Sequence, residues 1–80
     1  MTARHPKPPK YRTDWFRVFV DLQACGMLIP DIAETLDSPR STVKSWKYGS
    51  EPAYEAGRLL LQLWSNHTGK QVVERPVILV

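Results

Sequence analysis

The feature that most constrains the fold is a proline-containing break between two short apolar-periodic segments in residues 29–48. The apolar residues at helical spacing are Ile32, Ala33 and Leu36 before the break, and Val43 and Trp46 after it. The break is Asp37-Ser38-Pro39, in which we expect Ser38 to cap the second helix and Pro39 to occupy its first position. Gly49 is expected to end that helix. Helices this short, joined this tightly, must cross steeply, which predicts a helix-turn-helix unit.

The segment IPDIAETLDSPRSTVKSW resembles the helix-turn-helix of Cro-like phage repressors and related bacterial regulators. That pattern has an apolar residue and Ala early in the first helix, Leu three residues after the Ala, a turn, then Val and a large apolar residue three apart. The five apolar positions named above match it. The family usually has Gly at Asp37 and an apolar residue at Ser38, so the chain departs there. Because Asp tolerates the left-handed conformation better than most residues, we expect Asp37 to replace that glycine.

Eighty residues allow one domain, and so small a core makes self-association a reasonable expectation. No apolar run reaches the roughly 18 residues that a membrane span needs. The basic, proline-rich N-terminus has no apolar segment behind it, which argues against a signal peptide and favours a cytoplasmic location. The single cysteine, Cys25, excludes an intramolecular disulfide and a cysteine-rich metal site.

The net charge of +3 arises entirely from residues 1–30, which carry five basic and two acidic side chains. Residues 31–50 carry three of each sign, as do residues 51–80. A modest basic excess favours a polyanionic partner without requiring one. Residues 1–12 are rich in proline and basic residues, and we expect them to form a disordered arm. The arm residues with a possible DNA contact are Lys7, Lys10 and Arg12; the alternative is a solvated terminus.

Two further helices are expected to flank the helix-turn-helix unit. The first starts near Thr13 or Asp14 and ends at Ala24, with Gly26 as its cap. Its apolar stripe comprises Trp15, Val18, Phe19 and Leu22, widened by Phe16 and Val20. The other runs over residues 53–66, and its apolar side includes Tyr54. Leu59 makes three leucines in a row, an excess that fits either a dimer contact or a helix buried on two sides. Gly57 inside that helix is expected to mark a close approach of another helix.

The C-terminal residues 67–80 change character, because β-branched residues there favour a strand. We expect a turn over residues 67–70 and a strand or hairpin that Pro76 interrupts. The predicted dimerisation residues are Val77, Ile78, Leu79 and Val80, which would pair with their copy in a second subunit. The alternative is that the tail folds back on its own domain. The resemblance implies the first outcome, since Cro-like proteins can dimerise through such a strand.

The predicted domain organisation is therefore a basic arm (1–12), a helix-turn-helix domain (13–66) and a dimerisation tail (67–80). The fold class is mostly α, a small four- to five-helix bundle ending in a strand or hairpin. With Val43 and Trp46 facing the core, the second helix of the unit would present polar and basic groups to DNA. The predicted DNA-binding residues are Pro39, Arg40, Ser41, Thr42, Lys44, Ser45, Lys47 and Tyr48.

The sequence shows no catalytic motif: there is no metal-ligand spacing, no glycine-rich phosphate loop and no nucleophile motif. Neither a cofactor nor a small-molecule effector is indicated. We expect a sequence-specific double-stranded DNA-binding regulator, of the phage or prophage repressor type, that binds a pseudo-palindromic operator as a homodimer. The alternative is an assembly module built on the same fold, such as a DNA-packaging (small terminase-like) protein or a protein-binding adaptor.

Overall fold

The structure, a computed structural model, describes residues 10–80 and is mostly helical. The elements in chain order are β1 (Tyr11–Thr13), α1 (Trp15–Ala24), α2 (Ile29–Thr35), α3 (Arg40–Lys47), α4 (Tyr54–Thr68), a 3₁₀ turn (Val72–Glu74) and β2 (Val77–Leu79). This confirms the predicted class, a small four-helix fold with a C-terminal strand. Lys7, a predicted arm contact, lies outside the described residues. No helix within residues 10–80 is long and apolar enough to cross a membrane.

The core joins all four helices through one cluster of apolar side chains. Its buried members are Val18, Phe19, Leu22, Ile32, Ala33, Val43, Trp46, Leu60 and Trp64. The indole N–H of Trp64 donates to Asp21 Oδ2 at 3.0 Å, so this ring is buried without leaving its polar atom unsatisfied. Every helix therefore depends on the same core, which favours cooperative folding of a domain this small.

The predicted ends of α1 are confirmed. Asp14 is the N-cap, and its side chain accepts a hydrogen bond from the backbone N–H of Arg17 at 3.2 Å. Beyond Cys25, Gly26 has a φ of 91°, a conformation that glycine adopts without strain. Of the apolar stripe, Val18, Phe19 and Leu22 are buried and Trp15 and Val20 are half-buried, whereas Phe16 remains 51% exposed. That exposed ring lies next to α3, as described below.

Gly57 lies where α4 meets α1, which confirms the predicted close approach. A Cβ atom added there would be 3.2 Å from the Trp15 ring. The glycine is buried, whereas the preceding Tyr54 is 86% exposed, so the prediction that Tyr54 belongs to the apolar side was wrong. Helix α4 also continues to Thr68, two residues beyond the predicted end. The hydroxyl of Thr68 donates to Trp64 O at 2.7 Å, and Gly69 caps the helix with a φ of 75°.

A short antiparallel pairing of β1 with β2 joins the two ends of the described chain. Tyr11 lies opposite Leu79, Arg12 opposite Ile78, and Thr13 opposite Val77. The backbone N–H of Val80 also donates to Lys10 O at 2.9 Å. Residues 11 and 12, which we expected to belong to a disordered arm, instead lie in a strand whose partner residues are 68 and 66 positions away.

The C-terminal tail thus folds back on its own domain, the alternative given above. Its predicted strand is shorter than the apolar run, because Val72–Glu74 forms a 3₁₀ turn in which Gln71 N donates to Glu74 Oε2. The backbone edge of β2 that we expected to meet a second subunit is paired with β1 instead. Pairing of residues 77–80 between two copies stays a prediction. Such a dimer would have to form through the outer edges or the exposed side of this sheet.

Replacing Trp46 with alanine tests the core assignment. Trp46 is only 8% exposed, so we expect its removal to lower the free energy of unfolding by about 3–5 kcal/mol, from lost burial and the cavity left behind. The matched control is Tyr54→Ala, which removes an almost fully exposed ring and should change stability by about 0.5 kcal/mol or less. Urea unfolding followed by circular dichroism measures both, and equal effects would refute the assignment.

Candidate nucleic-acid interface

The turn between α2 and α3 depends on a left-handed residue, as the sequence predicted. Asp37 has a φ of 51°, the left-handed conformation that we expected at this position. Around it, Asp37 N donates to Glu34 O at 3.2 Å and Ser38 N to Ala33 O at 2.9 Å. These bonds satisfy the last carbonyls of α2 and redirect the chain into α3 within residues 36–39.

The start of α3 lies one residue later than predicted. Arg40 is its first residue and Pro39 is the N-cap, with an extended backbone (φ −60°, ψ 143°). The carbonyl of Pro39 accepts the first helical hydrogen bond, from Val43 N at 3.1 Å. The expected cap by Ser38 was wrong, because its hydroxyl donates backwards to Leu36 O at 3.2 Å. Arg40 therefore stands in the first turn of α3, at the end nearest the break.

Helix α3 is oriented by its two core residues. Val43 is fully buried and Trp46 nearly so, and this directs the rest of the helix outward. The exposed predicted site residues are Pro39, Arg40, Ser41, Thr42, Lys44 and Tyr48, whereas Ser45 and Lys47 are half-buried. Six of the eight predicted residues are therefore exposed, and the other two make contacts within the domain that are described next.

Ser45 is partly committed to the helix itself. Its hydroxyl donates to Thr42 O at 2.6 Å, one turn back along α3. A hydroxyl has one donor proton, so Ser45 retains only its acceptor capacity for any partner outside the helix. Ser41, one turn earlier, is exposed and makes the better hydrogen-bond donor to a ligand.

Lys47 is held against α1 by a hydrogen bond and a cation–π contact to residues distant in the sequence. Its ammonium donates to Gln23 Oε1 at 3.1 Å. It also lies 5.5 Å from the ring centroid of Phe16 and 5.3 Å from that of Tyr48, within cation–π range. The two rings are tilted by 57° with centroids 6.2 Å apart. Lys47, Phe16 and Tyr48 thus form one cation–π cluster. In the sequence, only the position of Phe16 at the edge of the α1 stripe pointed to it.

A groove of about 330 Å³ opens beside this cluster, between the β1–α1 junction and the C-terminal end of α3. Arg12, Trp15, Lys47, Tyr48 and Ile78 are among its lining residues. Its two carboxylates already accept hydrogen bonds, since Asp14 caps α1 and Glu51 Oε1 accepts the indole N–H of Trp15 at 3.2 Å. Arg12, predicted as part of an arm, is thus fixed on a strand next to α3.

The cations of α3 form no ion pair within residues 10–80. Arg17 pairs with Asp21 and Arg58 with Glu55, and the described residues contain no other salt bridge. The Arg58 guanidinium lowers the pKa of Glu55 through a hydrogen bond and its charge. Both pairs lie outside α3, so Arg40, Lys44 and Lys47 keep their charges available to a ligand.

The side of the unit formed by α2 is acidic. Asp31 and Glu34 are exposed on α2, and Asp37 is exposed in the turn. Asp31 Oδ2 accepts the Leu28 N–H at 3.0 Å and so holds the start of α2, where a negative charge is favourable to the helix dipole. The surface of the unit is therefore divided by charge, with carboxylates along α2 and cations along α3.

Within residues 10–80 no group of three or more His, Cys, Asp or Glu is placed to hold a metal ion.

The conformation of Asp37 gives a test of the turn. Glycine adopts a positive φ without strain, so we expect Asp37→Gly to raise the free energy of unfolding by about 0.5–1 kcal/mol. A β-branched residue is disfavoured there, and Asp37→Val should lower it by about 1–2 kcal/mol. Urea unfolding measures both variants. If Gly and Val changed stability by the same amount, the backbone at this position would not be left-handed.

Comparison with known proteins yields no match. No protein-family model matches the chain, and neither a curated protein nor a solved structure does so.

Proposed function

We propose that this protein is a sequence-specific double-stranded DNA-binding regulator, of the phage or prophage repressor type, that acts in the cytoplasm as a homodimer. The observation that carries the proposal is the orientation of α3. Its buried residues, Val43 and Trp46, leave an outward side that holds Arg40, Ser41 and Lys44. A helix presenting cations and hydroxyls from a tight two-helix unit suits a DNA major groove.

The proposed roles follow from the chemistry of each side chain. Arg40, exposed in the first turn, can bond the O6 and N7 atoms of guanine with its planar guanidinium. Ser41 can bond a base or a phosphate, and exposed Thr42 suits a phosphate. Lys44 and Lys47 neutralise phosphates. Ser45 can contribute only as an acceptor, because its proton is bonded within α3.

Dimerisation is supported by an exposed apolar side of the β1–β2 sheet. Tyr11 and Leu79 face each other across the pairing and are 59% and 66% exposed, and Val77 is 45% exposed. A two-stranded sheet with one apolar side uncovered is marginally stable alone, and a second copy would cover it. Two α3 helices would then enter successive major grooves about 34 Å apart.

The acidic side of α2 favours the second candidate, a helix-turn-helix assembly module for DNA packaging or for protein binding. Asp31, Glu34 and Asp37 would repel phosphates if α2 lay directly on DNA, but they could meet a basic partner protein. This candidate predicts an oligomer larger than a dimer, or duplex binding that shows no preferred sequence.

Substitution of the two exposed cations of α3 separates base reading from charge neutralisation. On the duplex recovered by selection from a random pool, Arg40→Ala should weaken binding by about 1–3 kcal/mol and relax specificity at one base pair. Lys44→Ala should weaken all duplexes evenly and reduce the salt dependence of binding. Fluorescence anisotropy titrations at several salt concentrations measure both effects.

The control for these variants is Lys70→Ala, an exposed cation beyond the end of α4. It should leave affinity and salt dependence unchanged. Equal losses for Arg40→Ala on the selected and on a random duplex would refute a base contact. If selection enriched no sequence at physiological salt, the assembly module would replace the regulator as the better proposal.

The dimer surface is tested by a charge placed on the exposed sheet. Leu79→Lys should shift the protein from twice the chain mass of 9.2 kDa towards the monomer, because it would bury an unpaired ammonium between the copies. Sedimentation equilibrium measures the mass. Tyr54→Lys introduces the same charge at a position on α4 that is 86% exposed, and it should leave the dimer intact. A dimer unaffected by Leu79→Lys would place the contact elsewhere.

A further inference from the structure

The cations of α3 form a row that ends at the groove. Arg40, Lys44 and Lys47 are separated by four and then three residues, which puts them along one flank of the helix. At 1.5 Å per residue the row extends roughly 10 Å along the helix axis. None of the three forms an ion pair with the acidic residues of the described chain. Lys47, the last residue of the row, lies beside Phe16 and Tyr48, where the groove begins.

Arg12 continues this row on a different element. It lies in β1 opposite Ile78, is exposed, and lines the same groove as Lys47. Neither Asp14 nor Glu51, the acidic residues of the groove, pairs with Arg12 or Lys47. Both carboxylates accept N–H groups instead, from the backbone of Arg17 and from Trp15. The two cations are thus available to an anion that enters the groove.

Lys47 is fixed before any ligand arrives. The Gln23 amide oxygen takes one of its three N–H donors, and the rings of Phe16 and Tyr48 attract its charge without neutralising it. Two donors remain for an anion. A cation already held in place loses less conformational freedom on binding than a free lysine does, so its contact is stronger for the same charge.

We infer that this groove binds a phosphodiester group of the DNA backbone, through Arg12 and Lys47, at a point flanking the base pairs that α3 reads. The inference rests on the proposed function and extends it to an element outside the helix-turn-helix unit. Helix α3 is roughly 12 Å long, about the width of the major groove. With Arg40 at the base edges, the Lys47 end therefore reaches the neighbouring phosphate strand. Gln23 and Phe16 act as positioning residues for Lys47.

The test measures how binding to a fluorescent duplex of fixed sequence depends on salt, between about 50 and 200 mM. Each cation that neutralises a phosphate contributes about 0.9 to the slope of log K against log salt. Arg12→Gln should therefore reduce the slope by about 0.9. Arg12→Lys should restore it, since the slope depends on charge. The matched control is Lys70→Gln, which removes an equal charge away from the groove and should leave the slope as in the wild type.

The outcomes separate this inference from the proposed function. A slope for Arg12→Gln equal to that for Lys70→Gln, with Lys44→Gln still reducing it, would overturn the groove contact alone. An Arg12→Lys variant that fails to restore the slope would also overturn it, because the loss would then come from a change in β1. Wild-type protein that binds no duplex at the lowest salt would overturn both. Thermal unfolding of each variant confirms that β1 and the core are retained.

Discussion

Burial of Val43 and Trp46 in the common core is the interaction on which the outward surface of this protein depends. These residues are three apart on α3, so burying both fixes the rotation of the helix about its axis. That rotation decides which side chains face solvent, and it leaves Arg40, Ser41 and Lys44 exposed together. The exposure of these polar and basic side chains on one side of α3 is therefore a consequence of core packing.

The same packing explains how far the sequence could predict the fold. The helices were recognisable because their apolar residues recur at a local spacing. The left-handed conformation of Asp37 was expected from the resemblance, whose pattern usually has Gly at that position. The start of α3 was misplaced by one residue, because Ser38 and Pro39 each have two plausible positions around a helix N-terminus. Local chemistry allows both, and the bond from Ser38 to Leu36 selects one.

What local spacing could not predict were partners distant in the chain. The strand at Tyr11–Thr13 exists because Val77–Leu79 pairs with it, and neither segment indicates the other. Lys47 matched the pattern of an exposed cation, yet Gln23 on α1 and the ring of Phe16 hold it half-buried. Such contacts arise from tertiary packing. Because of them Arg12, expected on a disordered arm, and Lys47, expected to be exposed, both line one groove.

The division of charge between the two helices of the unit has a consequence for how it could approach DNA. Exposed carboxylates lie along α2 and in the turn, and unpaired cations lie along α3 and on β1. In the field of a phosphate backbone, attraction on one side and repulsion on the other produce a torque as well as a force. With DNA as the proposed partner, this torque would turn α3 towards the duplex and α2 away from it before any base contact forms. A net charge of only +3 is compatible with this proposal, because the torque depends on the separation of the charges and not on their sum.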